Sequence, residues 1–327
     1  MYICIELLST MDKRELKEAI TALKKEKNAV ILGHYYQREE IQDISDYIGD
    51  SLALSREAQR CENDIIVFCG VHFMAETAKI LNPSRKVLLP DMEAGCSLAD
   101  SCPTEKFRAF KEAHPDHIVV SYINCTAEIK ALSDLICTSG NAEKLIHAIP
   151  EEQKIIFAPD KNLGGYINSV TGRNMLLWDG VCMVHDAMRA EQVMQLKAAH
   201  PDARVIAHPE CNAALLQVAD FIGSTKAMLN YIHSCGYGKF IVATETGILC
   251  EMKKNNPDKE FFTVSATDSR NCNCADCSYM KLNTLEKLYR CLKDESPEIV
   301  MSEDLMNQAR KPIEKMLQMS KSLGIIK

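Results

Sequence analysis

Three cysteines near the end of the chain are the residues whose types and spacing most directly suggest metal or redox chemistry. Cys272, Cys274 and Cys277 lie within six positions of one another. Thiols this close together are typical of zinc knuckles and of redox sites. The rest of the sequence contains no second paired-cysteine motif that could complete such a site. We therefore expect distant cysteines to complete it, and Cys277 to be the member of this group that joins them.

Three kinds of marker residue recur along the chain at nearly constant spacing. They are strand-end aromatic residues (His34, Tyr122 and His208, separated by 88 and 86 positions), hydroxyl residues 16 to 17 positions later (Ser51, Ser139, Ser224 and Thr225), and unit-ending cysteines (Cys96, Cys182 and Cys277, separated by 86 and 95 positions). Any alternation of strands and helices produces some similarity of this kind. Here, however, three classes of marker stay in register, which predicts three copies of one structural unit.

Short apolar runs alternate with helical patterns throughout the chain. Ala29 to Leu32 and Ile65 to Phe68 have the length of buried strands, whereas Lys13 to Lys27 carries its apolar residues on one helical face. The polar stretch from Glu39 to Tyr47 is predicted to be a helix. This alternation predicts an α/β fold with parallel sheets flanked by helices. Ligands of such sheets bind at the carboxyl ends of the strands, where the marker residues lie.

The unit-ending cysteines predict a metal site if the three units pack about a pseudo-threefold axis. The equivalent loops would then meet, and the thiolates of Cys96, Cys182 and Cys277 would converge. Three thiolates are one short of the four that normally hold a four-iron cluster, so one iron would stay open to a substrate oxygen. Zinc held by three thiolates and a water molecule is the competing interpretation.

Polar residues at the strand ends would surround this metal. His208 and Glu210 place an imidazole and a carboxylate two residues apart, which is a natural arrangement for a general base. The other polar residues at strand ends are His34, Tyr36, Tyr122 and Asn124. The hydroxyl residues precede predicted helices, where they serve either as N-caps or as part of a site for phosphate and carboxylate groups.

Composition excludes several classes of protein. The net charge of −7 provides no basic surplus for nucleic-acid binding. An odd count of 15 cysteines with scattered spacing does not match a secreted disulfide framework. No apolar run approaches the roughly 20 residues of a membrane-spanning helix, and the amino-terminal residues do not match a signal peptide. We therefore expect a cytoplasmic protein with reduced thiols, without nucleic-acid or membrane partners.

Several longer motifs resemble the quinolinate synthase family. They are residues 33–37 (GHYYQ), 49–51 (GDS), 68–74 (FCGVHFM), 178–185 (WDGVCMVH), 208–211 (HPEC) and 277–282 (CSYMKL). The resemblance extends over nearly the whole chain. It implies three similar three-layer α/β/α domains with parallel sheets about a pseudo-threefold axis. The repeat places the domains at residues 1–103, 104–187 and 188–327, the last with the C-terminal helices.

The resemblance also implies an activity and a set of site residues. The family condenses iminoaspartate (iminosuccinate) with dihydroxyacetone phosphate, releasing phosphate and two waters, to make quinolinate for NAD biosynthesis. The enzyme would be a condensing and dehydrating transferase (EC 2.5.1 class) with a [4Fe–4S] cluster, and L-aspartate oxidase is a candidate partner. Cluster ligands fall on Cys96, Cys182 and Cys277. Substrate residues fall on His34, Tyr36, Ser51, Tyr122, Asn124, Ser139, His208, Glu210, Ser224 and Thr225, with Glu210, His208, Tyr36 and Tyr122 as the catalytic candidates.

One motif departs from the family pattern, and two other functions remain as alternatives. Some family members carry Cys-x-x-Cys-x-x-Cys before the final ligand, whereas Cys272 and Cys274 are separated by a single residue here. The resemblance therefore does not extend to a disulfide switch involving Cys272 or Cys274. The alternatives are a zinc-dependent hydrolase of a phosphorylated metabolite and a non-catalytic, redox-responsive metabolite-binding protein.

Overall fold

The structure is a computed structural model that describes residues 11–264 and 275–326. Cys272 and Cys274 lie outside the described residues. The described chain forms two compact units. The first comprises residues 11–95 and 278–303, and the second comprises residues 96–264, 275–277 and 304–326.

The first unit is built on a parallel four-stranded sheet. Its strands are β1 (Ala29–His34), β2 (Tyr47–Gly49), β3 (Ile65–Cys69) and β4 (Lys86–Leu88), in the order β2-β1-β3-β4. Its helices are Lys13–Glu26, Glu39–Gln42, Ser51–Arg60, His72–Leu81 and Leu285–Asp294, with a 3₁₀ turn at Met280–Leu282. The helix Leu285–Asp294 packs its apolar face with that of Lys13–Glu26, and both contribute to the core beneath β1 and β3.

The second unit contains two parallel four-stranded sheets. The first has β5 (His117–Tyr122), β6 (Leu135–Cys137), β7 (Lys154–Ala158) and β8 (Leu176–Leu177), in the order β6-β5-β7-β8. The second has β9 (Arg204–Ala207), β10 (Phe221–Ile222), β11 (Lys239–Ala243) and β12 (Glu260–Thr263), in the order β10-β9-β11-β12. The helices are Ser97–Asp100, Thr104–Glu112, Ala127–Ala131, Ala142–His147, Lys161–Thr171, Met183–Asp186, Ala190–Ala199, Ala213–Gln217, Thr225–Ser234, Leu249–Asn255 and Glu303–Ser322, with a 3₁₀ turn at Thr246–Ile248.

All three sheets have the same strand order, with the second strand of each at one edge beside the first. This confirms the predicted α/β fold with three similar parallel sheets. The predicted domain boundaries and the pseudo-threefold axis stay predictions.

A repeated aspartate fixes the entry to the edge strand of each sheet. In each repeat its carboxylate accepts a hydrogen bond from a backbone N–H of the first strand at 2.8 Å; the pairs are Asp46 with Ile31, Asp134 with Val119, and Asp220 with Val205. Each aspartate N–H also donates to the carbonyl of the same strand residue, at 2.8 to 2.9 Å. The two bonds align the chain for parallel pairing with the first strand.

The predicted helix from Glu39 to Tyr47 is wrong in its second half. The helix ends at Gln42, and β2 begins at Tyr47. Asp46 pairs with β1 instead of continuing the helix. Since β2 has only three residues and begins with an exposed tyrosine, no alternating apolar pattern marks it as a strand.

The last helix, Glu303–Ser322, joins the second unit near its carboxyl end. Asn141 Nδ2 donates a 3.0 Å hydrogen bond to Ser320 Oγ, and both residues are buried. Among the described residues, no helix combines the length and apolar character that a membrane span requires.

Candidate active site

Glu210 lies at the centre of a buried polar cluster in the second unit. It follows β9 closely and is 3% exposed. The Tyr122 hydroxyl donates to Oε1 at 2.5 Å, and His185 Nδ1 lies 2.9 Å from Oε2. Burial acts to raise the pKa of Glu210, but His185, His208 and the hydrogen bonds outweigh it and lower that pKa. Glu210 is therefore held as a carboxylate with a donor at each oxygen.

His208 is held beside Glu210 as a neutral imidazole. Its Nδ1 accepts a 3.4 Å hydrogen bond from the Glu210 backbone N–H, and its Nε2 lies 3.2 Å from Ser139 Oγ. Burial lowers the pKa of His208 to about 3, although the Glu210 charge acts in the opposite direction. The ring stacks on His185 with 4.7 Å between centroids. Because Nδ1 is the acceptor, the ring proton is on Nε2 and points towards Ser139.

His34 has the same local arrangement in the first unit. It ends β1, is 5% exposed, and accepts a 3.1 Å hydrogen bond at Nδ1 from the Tyr36 backbone N–H. Lys281 Nζ donates to the Tyr36 carbonyl at 2.6 Å, which holds this turn in place. The strand-end histidines of the first and third repeats thus make the same kind of hydrogen bond: in each, Nδ1 accepts from the backbone N–H two residues later. Nε2 is therefore the protonated nitrogen in both rings.

The hydroxyl residues occupy different positions at the helix starts. Ser224 is the N-cap of helix Thr225–Ser234, where its Oγ accepts from the Ala227 N–H at 3.3 Å. The capping interpretation is confirmed for Ser224, and the role of the hydroxyl residues in binding phosphate or carboxylate stays a prediction. Ser51 is not a cap, because Asp50 caps helix Ser51–Arg60 in the first unit.

Ser139 lies in a loop that approaches Ser224 closely. A Cβ added at Gly140 would be 3.4 Å from Ser224 Oγ and 3.7 Å from Thr138 Oγ1. Thr138 Oγ1 is buried and has no hydrogen-bond partner within the described part of the chain, and the same is true of Asn124 Oδ1. Buried polar atoms without partners are uncommon in folded proteins. Asn124 follows the end of β5 and Thr138 follows the end of β6, so both residues lie at the carboxyl ends of neighbouring strands.

The cysteines that end the three predicted repeats all lie in the second compact unit of the structure; they are Cys96, Cys182 and Cys277. Cys96 and Cys182 each occupy the N-cap position of a four-residue helix. Burial raises the pKa of Cys96 to about 12, with Cys277 adding to the rise and two backbone N–H groups opposing it. Burial, the Glu210 charge and Cys96 raise the pKa of Cys182. Cys96 is therefore close enough to both other thiols for their charges to interact.

This donor set fits a cationic iron–sulfur centre. Buried thiols near a carboxylate resist ionisation, whereas a bound cation favours the thiolate form. Cys277 is anchored beside them, because its backbone N–H donates to Glu245 Oε1 at 3.1 Å. Three cysteine donors leave one position of a four-iron cluster without a protein thiolate.

Comparison with known proteins identifies the family. The model of the family NadA, quinolinate synthetase A protein, matches residues 18–318. The chain belongs to this family. It is 59% identical over 306 residues to quinolinate synthase of Microcystis aeruginosa, which covers 94% of this chain and 95% of that protein. It is 59% identical over 311 residues to quinolinate synthase of Chloroherpeton thalassium (95% and 96%) and 57% identical over 320 residues to that of Synechococcus sp. (98% and 100%). A match of this extent sets aside the hydrolase and the non-catalytic binding protein.

Two residues near Glu210 in the buried polar cluster were not assigned a role from the sequence. His185 is 2% exposed, and its Nδ1 lies 3.3 Å from Cys182 Sγ while its Nε2 lies 2.9 Å from Thr244 Oγ1. Its position three residues after Cys182, one helical turn away, was the available signal.

Asp160 is the second such residue. It caps helix Lys161–Thr171 by accepting from the Leu163 N–H at 2.8 Å. Its Oδ2 is buried, without a hydrogen-bond partner in the described residues. Burial and the Glu210 charge raise the pKa of Asp160 well above its usual value. The signal in the sequence was an aspartate directly after a strand and before a helix.

Proposed function

We propose that this protein is a quinolinate synthase that condenses iminoaspartate (iminosuccinate) with dihydroxyacetone phosphate and releases phosphate and two waters. The observation that carries the proposal is identity of 57–59% over 94–98% of the chain to proteins named quinolinate synthase. The buried Tyr122–Glu210–His185 cluster supports it, because the condensation requires proton transfers away from bulk water.

Cys96, Cys182 and Cys277 are the proposed ligands of a [4Fe–4S] cluster. Their location in one unit and the mutual effects on their pKa values support this assignment. When bound, the cluster supplies a Lewis-acidic iron with one open position, which suits removal of a hydroxyl group as water.

Glu210 is the proposed general base, and His208 is its partner. Glu210 is ionised, as a general base must be, and loss of its hydrogen bonds to Tyr122 and His185 when the intermediate binds would raise its lowered pKa and make it a stronger base. His208 carries its ring proton on Nε2, so it can donate a hydrogen bond to a substrate oxygen in the direction of Ser139. Tyr122 holds Oε1 of Glu210, and Tyr36 is proposed to position the intermediate.

The remaining polar residues are proposed to bind the anionic groups of the substrates. Their hydroxyl and amide groups suit phosphate and carboxylate oxygens. The proposed binding residues are His34, Ser51, Tyr122, Asn124, Ser139, His208, Glu210, Ser224 and Thr225. The buried Asn124 Oδ1 without a partner supports this role, because a bound substrate N–H or O–H group would satisfy it.

The proposal extends to location and supply. Thiolate ligands require reduced cysteines, so we place the protein in the cytoplasm. L-aspartate oxidase is the proposed source of iminoaspartate.

Anaerobic purification followed by iron, sulfide and quinolinate assays tests the function. We expect brown protein with about four iron and four sulfide per chain and quinolinate formation from both substrates. Changing Cys96, Cys182 or Cys277 to serine should abolish colour and activity, whereas Cys61→Ser in the first unit should retain both. Quinolinate formation by iron-free protein, or loss of the cluster in the Cys61 control alone, would refute the assignment.

A further inference from the structure

A second set of possible metal ligands shares Cys182 with the proposed cluster. Cys182 Sγ, His185 Nδ1 and a Glu210 carboxylate oxygen lie within 4.8 Å of one another. Nδ1 is 2.9 Å from Glu210 Oε2 and 3.3 Å from Cys182 Sγ. With bond lengths of about 2.0 to 2.3 Å, the donors of a tetrahedral zinc ion lie roughly 3.3 to 3.6 Å apart. Small rotations of the side chains are enough to place the three donors around one ion.

Hydrogen bonds already orient two of the three donors. His185 Nε2 lies 2.9 Å from Thr244 Oγ1, which directs Nδ1 towards Glu210 and Cys182. The Tyr122 hydroxyl donates to Oε1 of Glu210, which leaves Oε2 facing His185. Outer partners of this kind select the ligating nitrogen and the ring orientation in metal sites.

The charges and chemical character of the donors match a divalent transition metal. A carboxylate and a thiolate together neutralise a charge of +2, and His185 and Glu210 are only 2% and 3% exposed. Buried charges are stable when they are paired or coordinate a metal. One sulfur, one nitrogen and one oxygen donor suit zinc, and they leave a fourth position for water. Zinc binds such donors more tightly than ferrous iron does.

We infer that the cluster-free protein binds one Zn²⁺ ion at Cys182, His185 and Glu210, and that this ion blocks cluster assembly by occupying Cys182. The binding itself is independent of the proposed function. The blocking effect rests on the proposed [4Fe–4S] cluster.

Anaerobic titration of full-length, cluster-free protein with Co²⁺ tests the binding. We expect one equivalent to produce the visible bands of four-coordinate cobalt with sulfur-to-cobalt charge transfer, and Zn²⁺ to displace it. Thr244→Val should weaken binding by roughly 10- to 100-fold, as loss of an outer partner does, and His185→Ala should weaken it further. The exposed His233 provides a matched control, since His233→Ala should bind as the unchanged protein does.

The serine variants of the other two cysteines decide which donors hold the ion. Cys96→Ser and Cys277→Ser should retain cobalt binding, because neither thiol belongs to the inferred set. Loss of binding in these variants equal to that in His185→Ala would overturn the inference in favour of a three-thiol site. Absence of charge-transfer bands in the unchanged protein would also overturn it. If circular dichroism shows that His185→Ala is unfolded, His185→Gln takes its place.

Cluster reconstitution after zinc loading tests the blocking effect. One equivalent of Zn²⁺ should prevent incorporation of acid-labile sulfide, and a chelator should restore it. In His185→Ala, zinc should no longer prevent incorporation. Reconstitution unaffected by zinc would overturn the blocking effect, whereas failure of the zinc-free protein to incorporate sulfide would contradict the proposed cluster instead.

Discussion

The hydrogen bond between Tyr122 and Glu210 has a free energy that a double-mutant cycle can measure. The hydroxyl lies 2.5 Å from Oε1, and the two residues are 4% and 3% exposed. A hydrogen bond to a charged group contributes about 1.5 to 3 kcal/mol, and the low exposure places this one in the upper part of that range. Tyr122→Phe removes only the donor and keeps the ring, so packing changes little.

The cycle compares Tyr122→Phe in the unchanged protein and in a Glu210→Ala background. Urea denaturation of cluster-free protein measures the free energy of unfolding of all four proteins. We expect a coupling of roughly 1.5 to 3 kcal/mol, because the bond from the Tyr122 hydroxyl to Glu210 is already absent in the Glu210→Ala background. Tyr231→Phe, a change of hydroxyl on a partly buried ring stacked on Phe221, is the control and should show no coupling with Glu210→Ala.

The same bond predicts a kinetic effect if Glu210 is the general base. Loss of about 1.5 to 3 kcal/mol of positioning corresponds to a decrease in kcat of roughly 10- to 150-fold. A coupling below about 0.5 kcal/mol, within the additivity of independent sites, would refute the reasoning. So would Tyr122→Phe with an unchanged kcat.

Three further predictions concern the scaffold. Gly164→Ala should destabilise the protein by about 1 to 3 kcal/mol, because the new Cβ would lie 2.6 and 2.8 Å from the side chains of Leu177 and Phe157. Gly165 lies in the same helix, and a Cβ added there would have no neighbour within 4 Å in the described residues. Gly165→Ala should therefore stabilise the protein by up to about 1 kcal/mol in thermal or urea unfolding. Equal effects of the two substitutions would contradict the packing of this helix. Asp134→Ala should cost about 1 to 3 kcal/mol in urea unfolding, because the Val119 N–H loses its partner, and an unchanged midpoint would show that water replaces the carboxylate. Hydrogen bonds and charges from Lys27 and Lys86 lower the pKa of Glu295 to about 2, so its contribution to folding stability is present above its usual pKa and is lost as the pH falls towards 2. The difference in unfolding midpoint between Glu295→Gln and the unchanged protein should therefore disappear over that range. A difference that grows as the pH falls would contradict this prediction.

The repeat, the strand locations and the marker residues were predictable because they depend on local patterns. The apolar runs Ala29 to Leu32 and Ile65 to Phe68 fall on β1 and β3 in the structure. The marker residues keep their register because all three repeats have the same strand order. The short edge strand β2 was missed, since three residues carry no periodicity and its alignment comes from Asp46, whose partner is 15 positions away.

The sequence by itself determined the α/β class, the threefold repetition and the family, because each is encoded in periodicity, spacing or motifs that can be compared directly. Only the tertiary structure decided which side chains of the candidate site contact one another. His185 reaches Cys182 along one helical turn, but Glu210 and Thr244 come from 25 and 59 positions away through the pairing of β9 with β11. The pKa values of Glu210 and His208 depend on burial and on neighbouring groups, and these follow from three-dimensional proximity and not from order along the chain.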